Sequence, residues 1–226
     1  MKNVQLIECP RDALQGWKTL VPTEQKIAYM KALLAVGFDT LDCGSFVSPK
    51  AIPQMADTSS VIDAIAPLKN KTKLSVIVAN IRGAQTACTF PSIDVLGYPF
   101  SISENFQMRN TGKSIAESLG VLAKIIELAD AHQKELVVYI SMGFGNPYGD
   151  PWHPDIVAKW VRCLTDMGVR TLSLSDTVGS AETTSIRSLF AALIPAFETV
   201  SFGAHLHTLA ETAIEKIEAA HQSGCL

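Results

Sequence analysis

Short apolar runs alternate with longer amphipathic segments along almost the whole chain, and this alternation constrains the fold more than any other feature. Seven runs predict β-strands, at residues 4–9, 40–44, 73–80, 94–100, 135–142, 171–176 and 200–207. Seven segments predict helices, at residues 23–36, 57–66, 83–89, 114–132, 154–167, 184–197 and 210–221. Strand followed by helix, repeated in this way, is typical of a parallel sheet covered by helices.

The repeat fits either a closed barrel or an open, doubly wound sheet. No G-x-G-x-x-G motif follows the first strand, which weighs against a dinucleotide-binding fold. The 226 residues contain no low-complexity stretch or internal linker, so we expect one domain over residues 1–226. A Gly- and Pro-rich loop at 143–154 follows a strand end, which is where barrels carry their functional residues.

Composition and charge argue against several classes of protein. The formal net charge is −3 with no basic stripe, so we expect no nucleic-acid partner. No apolar run approaches the roughly 18 residues needed to span a membrane, and the N-terminus shows no signal-peptide pattern. The five cysteines are widely spaced without a C-x-x-C pair, which is typical of a reduced intracellular chain. We therefore expect a cytoplasmic protein without a membrane partner.

Polar residues follow the carboxyl ends of six of the seven predicted strands. They are Arg11 and Asp12, then Asp42, Asn80, Ser101 with Ser103 and Glu104, Asp176 with Thr177, and His205 with His207. Because barrel enzymes build their active sites at this face from several strand ends, the pattern predicts a candidate active site.

His205, Leu206 and His207 form the most specific of these groups. Side chains alternate along a strand, so both imidazoles are expected on one side, where they can chelate a divalent metal. Together with Asp12 they make a nitrogen and oxygen set with open positions, which suits Mg, Mn, Co or Zn as a Lewis acid. Two core or surface histidines at a strand end would give the same spacing, and this alternative stays open.

Three other positions also allow two interpretations. Arg11 offers a fork of donors that could hold an enolate or thioester oxygen, or it could form a salt bridge with Asp12. Asp42 could bind a substrate hydroxyl or a metal-bound water, or it could be a helix cap or loop contact. Asp176 with Thr177 could act in the site, either by orienting a ligand residue or in proton transfer, or could cap a helix.

Several motifs, in order, resemble those of hydroxymethylglutaryl-CoA lyases. The run E-C-P-R-D-A-L-Q at 8–15 resembles the P-R-D-G-L-Q opening of that family, and S-F-V-S-P-K at 45–50, followed by P-Q-M at 53–55, resembles a second block. Further matches are Ser103-Glu104 with Asn110 and the segments 145–148, 175–179 and 204–207. The H-x-H and D-T-x-G elements are shared with the wider group of metal-dependent lyases and Claisen-type synthases, whereas the second block is more specific.

The resemblance implies a TIM (β/α)8 barrel that cleaves 3-hydroxy-3-methylglutaryl-CoA to acetyl-CoA and acetoacetate, in leucine breakdown and ketone-body formation. It implies a divalent metal, Mg or Mn first and Co or Zn as further candidates, bound by Asp12, His205 and His207. Arg11 matches the catalytic arginine, and Asp42 stands where the family usually has Glu. The general base is open between His205 and Asp176. The residues taken as substrate-binding are Gln15, Ser45, Asn110, Tyr139 and Thr177. An acyl-CoA substrate and a homo-oligomer are also implied.

Departures from the family pattern qualify these expectations. Ala13, Gly16, Thr208 and Ile7 differ from the commoner residues, which leaves the acyl specificity open. Relatives continue with an eighth strand, a loop carrying a catalytic cysteine and a further metal-binding Asn, and Cys225 does not match that cysteine. We therefore expect a barrel truncated after its seventh strand-helix unit. A Claisen-type condensing synthase of the isopropylmalate or homocitrate type and a catalytically incomplete fragment are the alternatives.

Overall fold

The structure, a computed structural model, describes residues 4–226, and within them all seven predicted strands and all seven predicted helices are present. The strands are β1 Ile7–Glu8, β2 Thr40–Phe46, β3 Lys73–Val78, β4 Val95–Ser101, β5 Glu135–Ser141, β6 Thr171–Asp176 and β7 Ser201–Leu206. The helices are α1 Pro10–Gln15, α2 Thr23–Val36, α3 Thr58–Ile65, α4 Ile81–Cys88, α5 Glu104–Thr111, α6 Ile115–Ala131, α7 Pro154–Asp166, α8 Thr183–Ala196 and α9 Ala210–Gln222. Short 3-10 helices occupy Pro53–Met55 and Ala66–Leu68.

Internal contacts divide the chain into two compact units. The N-unit consists of Gln5–Tyr98 and Glu127–Glu135, and the C-unit consists of Pro99–Ile126 and Leu136–Leu226 together with Val4. No helix within residues 4–226 combines the length and the apolar character that a membrane crossing requires.

In the N-unit, successive strands pair in parallel and in chain order. Ile7 pairs with Thr40, Thr40 with Lys73, and Ser75 with Val95. The register between β2 and β3 shifts between Asp42 and Gly44, which is the signature of a β-bulge. Fully buried apolar side chains fill the core of this unit: Leu41, Ile62, Ile65, Leu74, Val76 and Leu96. Parallel strands covered by helices bury both faces, which explains the nearly continuous apolar composition of β3.

The helices of the N-unit begin and end for local reasons. α2 ends at Gly37, whose φ of 85° places it in the left-handed conformation that glycine adopts easily. Thr23 is the first residue of α2, after Pro22 at the cap position, and its hydroxyl donates to Asp57 Oδ2 at 2.8 Å. α4 begins after Asn80, whose side chain accepts a hydrogen bond from Gly83 N at 2.8 Å. Thus Asn80, one of the polar strand-end residues, is a helix cap.

Two helices were not predicted, and both follow directly on strand ends. β1 is shorter than expected, because Pro10 starts α1 with the fixed φ that suits a first helical position. α5 begins after Ser103, whose side chain accepts from Phe106 N at 3.1 Å, and closes at Gly112 with φ of 67°. A serine cap and a closing glycine were both visible in the sequence around α5.

The C-unit contains a second set of parallel strands. Val138 of β5 pairs with Leu172 of β6, and Leu172 pairs with Phe202 of β7. Its core includes the fully buried side chains Leu122, Ile125, Ile140, Leu174 and Phe190. The β6–β7 ladder continues to the pair Asp176 and Leu206, so the ends of both strands lie side by side.

Candidate active site

The Arg11 guanidinium is held by a network of hydrogen bonds in the N-unit. Its Nε and Nη2 donate to Asp42 Oδ2 at 3.0 and 2.7 Å, while Nη1 donates to Asp12 Oδ1 at 2.8 Å and Gln15 Oε1 at 3.1 Å. Only 7% of Arg11 is exposed. The salt bridge with Asp12 that the sequence suggested is present, and Asp42 forms a second one. A planar guanidinium fixed by three residues has one orientation, which suits a group that must meet a developing charge.

The position of Arg11 follows from the short helix that carries it. In α1 the residues Arg11 and Leu14 are three apart, so they share one face, and both are buried. Asp12 is the next residue and is more accessible, with 27% of its side chain exposed. The short helix α1 therefore buries the Arg11 guanidinium and leaves the neighbouring Asp12 carboxylate partly exposed.

Asp42 lies within β2 and is completely buried. It is neither a helix cap nor a loop residue, because the bulge in β2 follows it directly and the strand continues to Phe46. A buried carboxylate is stable only when it is paired and hydrogen-bonded, and Arg11 supplies both requirements. Asp42 is thus the buried counter-ion of Arg11.

Ser45, a predicted substrate-binding residue, has an unusual hydroxyl. Ser45 is 3% exposed, its backbone N donates to Thr58 Oγ1 at 3.2 Å, and its Oγ has no hydrogen-bond partner among the described residues. An unsatisfied buried polar group typically costs about 1–3 kcal/mol. Such groups persist where they serve a purpose, so this observation is compatible with the predicted role.

The two cysteines beside this group are protonated thiols. Burial, aided by the nearby Asp42 carboxylate, raises the pKa of Cys9 to about 12. Burial and Asp42 also raise the pKa of the Cys43 thiol, and Cys43 is only 2% exposed. Because the thiolate is the reactive form of cysteine, these two residues act as small apolar side chains.

His205 and His207 lie at the end of β7 in the C-unit, and their rings are neighbours. The ring centroids are 5.2 Å apart at an interplanar angle of 64°, so the two imidazoles share one side, as strand alternation predicted. Tyr139 of β5 contacts the His205 ring edge-on, with centroids 5.6 Å apart. Nδ1 of His207 lies 2.9 Å from the carbonyl oxygen of Thr177. A carbonyl only accepts, so neutral His207 carries its proton on Nδ1 and its lone pair on Nε2.

Asp176 and Thr177 are both used in internal contacts of the C-unit. The buried Asp176 carboxylate accepts from Ala181 N at 3.1 Å and from Lys216 Nζ at 3.2 Å. The hydroxyl of Thr177 accepts from Met142 N at 3.0 Å. Lys216 was not predicted, because a lysine in the middle of an amphipathic helix is usually exposed to solvent.

Ser103 and the loop at 143–154, both picked out in the sequence, form a hydrogen-bonded contact between α5 and the loop after β5, which we call the Asp150 clasp. Asp150 accepts from the Ser103 hydroxyl and from Asn105 Nδ2 and N. The Ser103 hydrogen bond, with a smaller contribution from Asn105, lowers the pKa of the Asp150 carboxyl. Tyr148 in the same loop packs against Arg109, whose guanidinium lies 4.9 Å from the ring centroid. Asn110, a predicted substrate-binding residue, lies exposed on α5.

Most candidate residues of each unit lie at the carboxyl ends of parallel strands or directly after them, whereas Asp42, which was predicted at a strand end, lies inside β2. The N-unit presents an arginine and carboxylates, and the C-unit presents two imidazoles with lone pairs suited to a divalent cation. Parallel strands alternating with helices, with such residues at the strand ends, define the class of barrel enzymes whose chemistry takes place at that face.

The sequence matches the HMGL-like family model over residues 3–226, and the chain belongs to that family. It is 33% identical to the mitochondrial hydroxymethylglutaryl-CoA lyase of Arabidopsis thaliana, over 99% of this chain and 47% of that protein. It is also 33% identical to the 3-hydroxy-3-isohexenylglutaryl-CoA/hydroxymethylglutaryl-CoA lyase of Pseudomonas aeruginosa, over 99% of this chain and 74% of that protein. The chain thus spans about half the length of the first relative and three quarters of the second.

Comparison with solved structures agrees with the family assignment. A crystal structure of the Bacillus subtilis HMG-CoA lyase superimposes with a TM-score of 0.93 at 30% identity, covering all of this chain and 75% of that one. The family resemblance and the TIM-barrel fold that the sequence predicted are therefore confirmed.

Proposed function

We propose that this protein is a lyase that cleaves 3-hydroxy-3-methylglutaryl-CoA to acetyl-CoA and acetoacetate. The observation that carries the proposal is the Arg11 guanidinium, which is buried and held by Asp42 in a chain of the HMGL-like family. The names of relatives that align with almost the whole chain support it. This cleavage would place the protein in leucine breakdown and ketone-body formation.

We propose that Asp12, His205 and His207 hold a divalent cation, with Mg or Mn as the first candidates and Co or Zn as further ones. The fit rests on donor chemistry: two neighbouring imidazoles, one with Nδ1 engaged by Thr177, and an accessible carboxylate on α1. When bound, such a cation polarises the substrate oxygens and stabilises negative charge on them.

The other proposed roles belong to the chain's own residues. A base removes the proton from the C3 hydroxyl, the carbon–carbon bond breaks, and the electron pair passes to the thioester enolate. The enolate carbon then takes up a proton, from the protonated base or from water, which gives acetyl-CoA. Arg11 stabilises that enolate oxygen, and a contact of this kind is worth about 3–4 kcal/mol. Asp42 and Gln15 orient Arg11, because both accept hydrogen bonds from its guanidinium. Ser45, Asn110, Tyr139 and Thr177 remain proposed substrate contacts.

For the base, the contacts favour His205 over Asp176. The Asp176 carboxylate is buried and already accepts from Lys216 and Ala181, which supports a positioning role instead. A lone pair of His205 that binds a cation cannot accept a proton at the same time. The variant His205→Asn separates these roles: loss of Mn²⁺ binding identifies a ligand, and lost turnover with Mn²⁺ binding retained identifies a base.

The proposal also covers the domain, the substrate class, the partners and the location of the protein. We propose one catalytic domain over residues 1–226, an acyl-CoA substrate, no nucleic-acid partner and a homo-oligomeric assembly. A cytoplasmic location is also proposed, and named relatives include both a cytoplasmic and a mitochondrial lyase.

The test is a coupled assay for acetoacetate with 3-hydroxy-3-methylglutaryl-CoA as substrate, with and without EDTA. We expect turnover that EDTA abolishes and Mn²⁺ restores, and a loss of about a hundredfold or more in Arg11→Ala. Arg187→Ala is the matched control, because Arg187 is exposed on α8 and contacts only the Gln222 side chain among the bonds described. Absence of acetoacetate with the metal-loaded protein would overturn the proposal.

Two further substrates distinguish the lyase from a condensing synthase and define its acyl specificity. Release of free CoA that depends on a 2-oxoacid would instead identify the condensing synthase. Because one relative is named for both 3-hydroxy-3-isohexenylglutaryl-CoA and the methyl compound, comparing kcat/KM for the two substrates establishes the acyl specificity.

A further inference from the structure

Lys216 of α9 and Asp176 at the end of β6 form a buried ion pair in the C-unit. Lys216 projects from the middle of α9 and is 8% exposed, and Asp176 at the end of β6 is 2% exposed. Lys216 Nζ donates to Asp176 Oδ2 at 3.2 Å and to the carbonyl oxygen of Gly179 at 3.2 Å. Burying a lysine and an aspartate is unfavourable unless each compensates the other, so this pair calls for a reason.

The pair encloses the turn that leads from β6 to α8. Ala181 N donates to both carboxylate oxygens of Asp176 at 3.1 Å, and Gly179 N donates to the Asp176 carbonyl at 3.1 Å. Gly179 has a φ of 72°, and a Cβ at this position would lie 3.3 Å from the carbonyl oxygen of His207. The turn is therefore fixed from one side by Lys216 and lies close against the end of β7.

The same turn contacts His207 directly. The carbonyl oxygen of Thr177 lies 2.9 Å from His207 Nδ1, and the Thr177 hydroxyl accepts from Met142 N at 3.0 Å. The orientation of the Thr177 peptide thus depends on a turn that Lys216 holds through Asp176 and Gly179. Partners of this kind fix which imidazole nitrogen bears the proton and which bears the lone pair.

We propose that Lys216 is a positioning residue for the histidine pair. By holding the 176–181 turn, it keeps the Thr177 carbonyl on Nδ1 of His207, so that the proton lies on Nδ1 and Nε2 is the nitrogen that would bind a divalent cation. The part concerning the cation rests on the proposed function, whereas the part concerning the His207 tautomer does not.

The test compares Lys216→Met and Lys216→Arg with Lys26→Met. Lys26 is the matched control, because it is 4% exposed and pairs with Asp57 Oδ1 at 2.8 Å, but lies in the N-unit. Long-range ¹H–¹⁵N spectra of the metal-free proteins report the imidazole tautomers, about two pH units above the ordinary His pKa of ~6.5. Titration calorimetry with Mn²⁺ reports the affinity for the cation.

In the wild type we expect His207 as the Nδ1–H tautomer. Lys216→Met should give a mixture of tautomers and a Mn²⁺ affinity that is lower by roughly 10–100-fold. Lys216→Arg should restore much of both, because it keeps the positive charge. Lys26→Met should lower stability without changing the His207 spectrum.

Each outcome separates the inference from the proposed function. A wild-type tautomer and wild-type Mn²⁺ affinity in folded Lys216→Met would overturn the inference and leave the function standing. A wild type that binds no Mn²⁺ would contradict the proposed function, and the tautomer spectra would still test the inference. If Lys216→Met does not fold, Lys216→Met combined with Asp176→Leu removes both charges, which restores apolar packing. An unchanged His207 tautomer in that double variant would also overturn the inference.

Discussion

Replacing Asp42 by Ala removes the counter-ion beneath Arg11 and leaves a buried guanidinium with fewer partners. The Asp42 side chain is 0% exposed and that of Arg11 is 8% exposed. Asp42 Oδ2 accepts hydrogen bonds from Arg11 Nε at 3.0 Å and from Nη2 at 2.7 Å. Removing one partner of a buried ion pair typically costs about 3–5 kcal/mol. Since Arg11 keeps its contacts with Asp12 and Gln15, we expect a loss of about 3 kcal/mol, near the lower end of that range.

A second variant separates the charge from the hydrogen bonds. Asp42→Asn keeps a carbonyl acceptor of nearly the same shape but loses the negative charge. Because charge-assisted hydrogen bonds are about twice as strong as neutral ones, we expect a loss of about 1–2 kcal/mol. We therefore expect stability to decrease from the wild type to Asp42→Asn and then to Asp42→Ala.

The matched control is Glu135→Ala, in an ion pair of similar length that lies at the surface. Glu135 and Lys73 are 2.6 Å apart with 58% and 45% of their side chains exposed, and such pairs contribute about 0–1 kcal/mol. Urea unfolding followed by circular dichroism measures all variants. With a urea dependence of about 1–3 kcal/mol per molar, Asp42→Ala should lower the midpoint by roughly 1–3 M. If it lowers the midpoint no more than Glu135→Ala does, burial does not strengthen the ion pair between Arg11 and Asp42, contrary to our expectation.

Two further predictions concern backbone packing and a surface carboxylate. Gly83→Ala should destabilise the protein by about 1–3 kcal/mol, because the added Cβ would lie 2.1 Å from Phe46 O. Gly120→Ala in α6 is the control: its Cβ would meet nothing within 4 Å, so it should stabilise the protein by roughly 0.5–1 kcal/mol. Urea unfolding measures both. Ser103→Ala should raise the pKa of Asp150 towards its usual value, followed by the ¹³C carboxyl shift against pH, since the Ser103 hydrogen bond is the main cause of the lowered pKa. As the pH falls, the hydrogen bonds of the Asp150 carboxylate should then be lost at a higher pH in the variant than in the wild type, because a protonated carboxyl group is a poorer acceptor. An Asp150 titration that is the same in both proteins would contradict this.

The secondary structure was predictable because its signals are local. Alternation of apolar residues and closing glycines such as Gly37 identified every strand and seven of the helices within residues 4–226. Two helices were missed: α1 is only six residues long, and α5 has no apolar face, since Gln107 is its buried residue. Neither segment shows the apolar periodicity of an amphipathic helix, so the residues at their ends were the remaining signal.

The sequence by itself determined which residue types stand at the strand ends: Arg11, Asp12, His205 and His207 follow from the strand pattern and the family motifs. Only the tertiary structure decided their partners. Asp42 reaches Arg11 across 31 residues, and Lys216 reaches Asp176 across 40. Contacts over such separations depend on strand register, on the bulge in β2 and on the face by which α9 packs, none of which is encoded by local periodicity.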